Sequence, residues 1–388
     1  MTSEPFIPYG RQIIDDDDLQ AVADVLQGDW LTTGPKVGEF EKAFAEYVEA
    51  PHAVAVNSGT AALHLAMLAA GVGEGDEVIV SSLTFVASAN AAVYVGATVV
   101  FADIDPRTWT IDHTHVRSLV TDRTKAIVAV DYAGAPCDLG PLRDIADEFA
   151  LVLIEDACHA PGAVYQGRRI GSIADFTAFS FHPVKHITTG EGGMVTTLTG
   201  EHDRALRTFR SHGIATDFRS REASGTWEYD QVALGYNYRI PDITCALGIT
   251  QLGKQGAWLD RRRQIAVAYG EAFAGVPNLE TQHVEDDRTS AWHLYPVRII
   301  GENAASMRAS VFSELRDQGI GVNVHYRPVY EHSYYRDRGY ESGLCPNAEA
   351  VYSGLLSLPM WPGLTDSEQD RVIHALIQAL VKARNGQP

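Results

Sequence analysis

The sequence predicts an α/β fold: a mostly parallel central sheet covered by helices on both faces, followed by a smaller α/β region. Three observations predict it. From residue 53 to about 200, short β-rich runs alternate with helical patterns, the order that parallel strands joined by crossover helices require. With 388 residues, 45% of them hydrophobic, the chain can bury one large core and a second, smaller one. After about residue 250 the alternation stops, and a long helical pattern leads into mixed strands and helices. The expected division is therefore 1–250 for the large domain with its N-terminal arm and 251–388 for the small C-terminal domain.

The elements follow in order. "LQAVADVLQG" (19–28) reads as a helix, and the acidic run Asp15 to Asp18 before it suits the positive end of the helix dipole better than a metal. "AVAVN" (53–57) is a strand passing into "GTAALHLAMLAAG", where Ala62, Leu65, Ala66 and Ala69 recur at helical spacing. "EVIV" (77–80) likewise passes into "TFVASANAAVYVG". Strand runs follow at "TVVFAD", "AIVAVDY", "LVLIED", "FTAFSF" and "GMVTT", with a helix at "LGPLRDIADEFA" between two of them. Beyond residue 250, "LGKQGAWLDRRRQIAVAYGEAF" reads as one long helix, with "RRR" (261–263) as a solvated face.

Composition narrows the function classes. The terminus "MTSEPFIPYG" has no basic segment before an apolar run, and no stretch of about 18 apolar residues occurs, so a cytoplasmic, non-membrane protein is expected. Cys137, Cys158, Cys245 and Cys345 stand far apart and read as packing residues. A formal charge of −19 argues against binding nucleic acid, and an anionic substrate would need local cations. The two histidines of "DHTH" (112–115) have no further ligand pattern beside them, so no metal site is expected there.

Chemistry gathers at the strand ends, where open α/β sheets bind ligands. "AVAVNSGTAAL" runs into a helix through Ser58, Gly59 and Thr60, offering free amides to a phosphate. "LVLIEDACHA" ends an apolar strand with Asp156 and, three residues on, His159. "FSFHPVKHITTGEGG" supplies Ser180 and Lys185. Lys185 could be a phosphate clamp, a surface cation or a covalent handle; the phosphate-loop reading fails because Gly190, Gly192 and Gly193 follow the lysine and His186 comes directly after it. A phosphate cup, a carboxylate for a pyridine nitrogen and a lysine for an aldehyde are together what pyridoxal phosphate needs. Taken singly, Phe85 reads as core, His325 as a satisfied core histidine, and Tyr236 and Tyr238 as an ordinary strand or turn.

The chain resembles the DegT/DnrJ/EryC1/StrS sugar-nucleotide aminotransferases over nearly its whole length. The resemblance lies in "WLTTGPKVGEFEKAFAEY", "VNSGTAALHLA", "TFVASANAA", "IEDACHAPGA", "FSFHPVKHITTGEGG", "LGYNYRIPDITCALGITQL" and "VHYRPVY". It implies the aspartate aminotransferase-like fold type I of pyridoxal phosphate (PLP) enzymes. It also implies Lys185 as the lysine bonded to the cofactor, Asp156 as partner of the ring nitrogen, His159 near the ring oxygen and Phe85 stacked on the ring. Ser58, Gly59, Thr60 and Ser180 would form the phosphate cup, and Asn237 would reach the phosphate from a neighbouring subunit, which implies a homodimer with shared active sites. Tyr9, Trp30, Leu31, Thr32, Thr33, Arg239, His325, Tyr326, Arg327 and Pro328 would line the nucleotide-sugar site.

Within the family, "VDYAG", "FSFHPVKHITTGEGG" and "VHYRPVY" look most like the pseudaminic acid type, the UDP-4-amino-4,6-dideoxy-N-acetyl-β-L-altrosamine transaminases. That similarity implies transfer of the amino group of L-glutamate to the C4 keto group of a nucleotide-linked 4-keto-6-deoxy hexose. A dTDP- or GDP-linked sugar is the alternative substrate. A dehydratase of the family would carry histidine in place of Lys185, and a non-catalytic binding protein would lack Lys185, Asp156 or the cup.

Overall fold

A computed structural model of the protein describes residues 5–216, 221 and 224–386. Seven strands form the central sheet: β1 (His52–Val56), β2 (Glu77–Ser81), β3 (Thr98–Ala102), β4 (Thr124–Val130), β5 (Val152–Asp156), β8 (Phe176–Ser180) and β9 (Gly193–Thr197). Their spatial order is β1-β9-β8-β5-β4-β2-β3. The five strands β2, β3, β4, β5 and β8 pair in parallel, and β9 runs antiparallel to both β8 and β1. The reversal follows from the connection: residues 181–192 contain no crossover helix, so the chain turns straight back beside β8. Lys185 sits in that turn.

The strands inside the sheet bury both faces, and the period of two separates the cores. Val54 and Val56 of β1 enter the cluster that includes Leu65 and Val80, whereas Ala53 and Ala55 enter the opposite one with Phe40, Phe44 and Phe179. The chain after the central sheet adds β10 (Leu279–Thr281), β12 (Tyr295–Ile299) and β13 (Leu355–Leu358), an antiparallel sheet with its own core around Val297, Leu356 and Leu376. A small third sheet joins β6 (Val164–Tyr165), β7 (Arg168–Arg169) and β11 (Arg288–Thr289).

The acidic run acts as expected and does more. Asp15 caps helix α1 (Asp16–Gln27) in a reciprocal box with Asp18. Asp18 is also buried, accepting from Thr250 Oγ1 at 2.5 Å and Gln251 Nε2 at 2.7 Å. The long helix starts earlier than its pattern suggested, at Asp242, and runs to Phe273. Its first turn is a docking point, because the Asp242 carboxylate accepts from Gly34 N and Lys36 N and so caps helix α2 (Pro35–Val48) from another part of the chain.

One expectation for that helix is corrected. Arg261 pairs with Asp366, and Arg263 with Asp260, but Arg262 is only 1% exposed. Consecutive helical residues point about 100° apart, so three in a row cannot share a solvated face. Arg262 instead donates through Nη1 to the carbonyl oxygens of Trp292, His293 and Met360 at 2.9, 3.2 and 3.2 Å.

On the face of β5 opposite Asp156 lies a buried carboxyl pair, Glu155 and Asp131. Thr177 Oγ1 donates to Glu155, and Cys137 N donates to Asp131. The remaining oxygens, Glu155 Oε1 and Asp131 Oδ2, have no other donor, a need met by one proton held between the two carboxyls. Burial raises both pKa values, that of Glu155 to about 7. An unfolded glutamate releases its proton near pH 4.5, so the folded state binds the extra proton between about pH 4.5 and 7, and stability falls as pH rises through that window. Asp131, raised by the same burial, adds to the decline, so Glu155→Gln should lessen the slope without abolishing it. Chemical denaturation from pH 4.5 to 8 checks this; equal slopes in both proteins would contradict the shared proton.

Candidate active site

The site is assembled at the carboxyl ends of the parallel strands, around a cavity of about 630 Å³. Three strand ends feed it. After β1, Ser58 caps helix α3 (Gly59–Ala69) by accepting from Ala61 N at 3.0 Å, leaving the first amides of the helix without an intrahelical acceptor. Gly59 is required for close approach, since a Cβ there would lie 2.8 Å from the Ser180 side chain at the end of β8. The result is a cradle of helix amides and the Ser58, Thr60 and Ser180 hydroxyls with positive electrostatic character.

Asp156 ends β5 and is buried at the cavity wall. Its Oδ2 accepts from Ser88 Oγ at 2.6 Å and its Oδ1 from Cys158 N at 3.2 Å. Ser88 spends its proton on the carboxylate, so Thr84 Oγ1, 2.8 Å away, donates to Ser88. Both oxygens are thereby held in place, with a lone pair left for an N–H in the cavity.

His159 faces the same space. Its Nε2 lies 3.2 Å from the Tyr326 hydroxyl, and its buried Nδ1 has no protein partner. Burial, with Lys185, His325 and His186 nearby, holds its pKa well below the ordinary histidine value, so the ring is neutral. Burial likewise lowers the pKa of Lys185, against the opposing pull of Cys158 and Asp156. The lysine is thereby moved toward the free amine that acts as nucleophile and base. Phe85, read singly as core, is 55% exposed at the cavity rim, with its ring 5.9 Å from that of Tyr326.

Tyr9, His325, Tyr326 and Arg327 line the same cavity. His325 fits both of its readings: Nδ1 is 2.9 Å from Ser357 Oγ, and the residue also lines the cavity. Sequence reasoning missed Ser88, Thr84, His182, Glu191, His293, Asn323 and His332. A signal existed for Ser88, since it lies three residues after Phe85, one turn along α4 (Val86–Tyr94). The others stand in no pattern that marks them.

The remaining expected residues do not line the cavity of their own chain. Trp30, Leu31, Thr32 and Thr33 are exposed; Thr32 bridges Pro241, close to exposed Asn237 and half-buried Arg239. Asn237 O accepts from Asn57 Nδ2 at 3.3 Å. Pro328 is buried and opens the turn after Arg327. Of the cysteines, three are buried packing residues, whereas Cys158 is half-buried and lines the cavity.

The donor set fits pyridoxal phosphate. A cradle that any side chain at residue 59 would fill suits the phosphate, the doubly held carboxylate suits the pyridine N–H, and the orphaned His159 Nδ1 can meet a polar ring substituent.

Comparison with known proteins agrees. The model of the DegT/DnrJ/EryC1/StrS aminotransferase family matches residues 12–377. The chain is 43% identical over 374 residues to the spore coat polysaccharide biosynthesis protein SpsC of Bacillus subtilis, covering 96% of each chain. Among solved structures it is similar to Spr1654 of Streptococcus pneumoniae at 34% identity, with TM-scores of 0.92 to the PMP form and 0.91 to the PLP form. The match covers 97% of this chain and 100% and 99% of those chains. It is also similar to Helicobacter pylori PseC, an aminotransferase of pseudaminic acid biosynthesis, with 31% identity, a TM-score of 0.90, and coverage of 97% and 100%.

Proposed function

The chain belongs to the DegT/DnrJ/EryC1/StrS aminotransferase family, and from that premise we propose that it transfers the amino group of L-glutamate to the C4 keto group of a UDP-linked 4-keto-6-deoxy N-acetyl hexose. The coarser activity, that of a PLP-dependent sugar aminotransferase, is the family's. One observation carries the assignment of residues: Lys185, Asp156 with its Ser88 donor, and the Gly59–Thr60 cradle converge on a single cavity. The UDP-sugar reading is supported by the likeness to PseC, and Arg327 at the cavity wall offers a positive partner to the diphosphate that any nucleotide sugar carries.

Pyridoxal phosphate, when bound, supplies an aldehyde for the amine and a protonated ring that withdraws electrons from the carbon being deprotonated. Lys185 Nζ would hold the cofactor and, as a free amine, would take the proton from the donor α-carbon. Asp156 would accept from the ring N–H, and Ser88 orients the Asp156 carboxylate through its hydrogen bond to Oδ2. Ser58, Gly59, Thr60 and Ser180 bind the phosphate, while Phe85 covers the ring. The same Lys185 amine would return a proton in the sugar half of the reaction.

We read 1–250 as the cofactor-binding domain and 251–388 as the small domain, supported by the separate core around β12 and β13. A cytoplasmic homodimer completes the reading. Asn237, Arg239 and the Trp30–Thr33 segment then serve a second copy's cavity, since they cluster on the surface and away from their own. A solution mass of one 42.3 kDa chain would remove it.

The deciding experiment offers 4-keto UDP-, dTDP- and GDP-sugars with L-glutamate and identifies products by mass spectrometry. Amino sugar confined to UDP substrates is expected; preference for dTDP or GDP sugars would overturn the sugar assignment and leave the aminotransferase standing.

A further inference from the structure

We propose that a second cavity, behind Lys185, holds one water molecule between Arg262 and His186 and gives the lysine a route for proton exchange with solvent separate from the substrate cavity. The inference rests on Lys185 being the reacting lysine. The rear cavity has about 10 Å³ of room, the space of a single water. Lys185 borders both cavities, with His186, Gln251 and Arg262 at the inner end of the rear one and exposed Arg11 and Gln12 at its mouth.

The hydrogen-bond requirements select the occupant. His186 is buried, and its Nε2 lies 2.9 Å from Ala291 O. A carbonyl oxygen only accepts, so Nε2 carries the hydrogen. Burial and the adjacent Arg262 keep the ring neutral, which leaves Nδ1 as a lone-pair acceptor. That Nδ1 is buried without a partner, as is the Nε–H donor of Arg262, whose Nη1 is already committed to three carbonyl oxygens. One orphan acceptor and one orphan donor therefore belong to residues lining the same small space. Water can accept from Arg262 and donate to His186 at once. An anion would satisfy Arg262 alone, and a cation would satisfy only His186 while facing the guanidinium.

The transfer balances simply. The Lys185 ammonium gives a proton to the water, the water gives one of its own to solvent at the mouth, and the lysine returns to the free amine. Reprotonation runs in reverse. A proton taken from the donor α-carbon can thus be lost to solvent before it is delivered.

Two measurements test this. In a high-resolution crystal structure of the protein without cofactor, one ordered water is expected at about 2.7–3.2 Å from both His186 Nδ1 and Arg262 Nε. An empty space or a bound ion there overturns the site whatever the enzyme's substrate. The second follows loss of deuterium from L-[2-²H]glutamate to water, relative to keto-acid formation, in wild type and His186→Phe, which removes the acceptor and fills the space. Label retention in recovered glutamate should rise by about threefold or more in the variant. Equal washout in the two proteins overturns the route. Absence of keto acid in the wild type would instead strike the donor assignment, with the crystallographic result still deciding the water.

Discussion

Lys185→Ala abolishes amino transfer: turnover is expected to fall by roughly 10⁴-fold or more, because one substitution removes both the covalent anchor and the proton carrier. The fold should survive. Among the described residues no hydrogen bond from Lys185 Nζ to protein is present, and the residue is half-buried in a turn between β8 and β9. The variant should retain its thermal unfolding temperature and still take up cofactor through the Ser180 and Gly59 cradle. It should lack the visible absorbance of lysine-bound cofactor. Product formation by mass spectrometry and the absorbance spectrum check this together, and a yellow, active Lys185→Ala protein would remove the lysine from the mechanism.

Asp156→Asn is expected to cost about 10²- to 10³-fold in turnover, the range seen when a preorganised electrostatic partner of the developing charge is lost. Asparagine keeps the shape and can still accept from Cys158 N, while its Nδ2 replaces the oxygen that accepts from Ser88, so the change removes the charge together with that acceptor. Ser88→Ala offers a graded comparison. It removes one hydrogen bond to an ionised carboxylate, worth about 1.5–3 kcal/mol, and should cost about ten- to a hundredfold. The order Asp156→Asn below Ser88→Ala below wild type, measured as kcat with saturating cofactor, is the expected result. A Ser88→Ala enzyme as slow as Asp156→Asn would show that the serine, not the charge, carries the effect.

Ser88 also illustrates what the sequence conceals. "LVLIED" announces Asp156, because a carboxylate at the end of an apolar strand stands out against its neighbours. A small hydroxyl inside "TFVASANAAVYVG" is marked only by its spacing from Phe85 and suits helix packing on composition alone. Its role depends on the side-by-side placement of helix α4 and strand β5, and their residues meet across 68 positions of chain. Arg262 is the opposite case. "RRR" attracts notice as a charged run, yet the middle arginine is turned inward by helical geometry, with its Nη1 donating to three backbone carbonyls from two other segments.

Local patterning by itself determined the parallel strands, their crossover helices and the residues at the strand ends. Hydrophobic period and turn chemistry are properties of neighbouring residues. The motifs around Lys185, Asp156 and Gly59 likewise carried the family and the cofactor. Only the tertiary structure decided that β9 turns back beside β8, that Ser88 holds Asp156, that Glu155 and Asp131 share their burial, and that Lys185 stands between two cavities. Those features are distances between segments far apart in the chain, set by how the elements pack, and packing distances are not written in any local stretch of sequence.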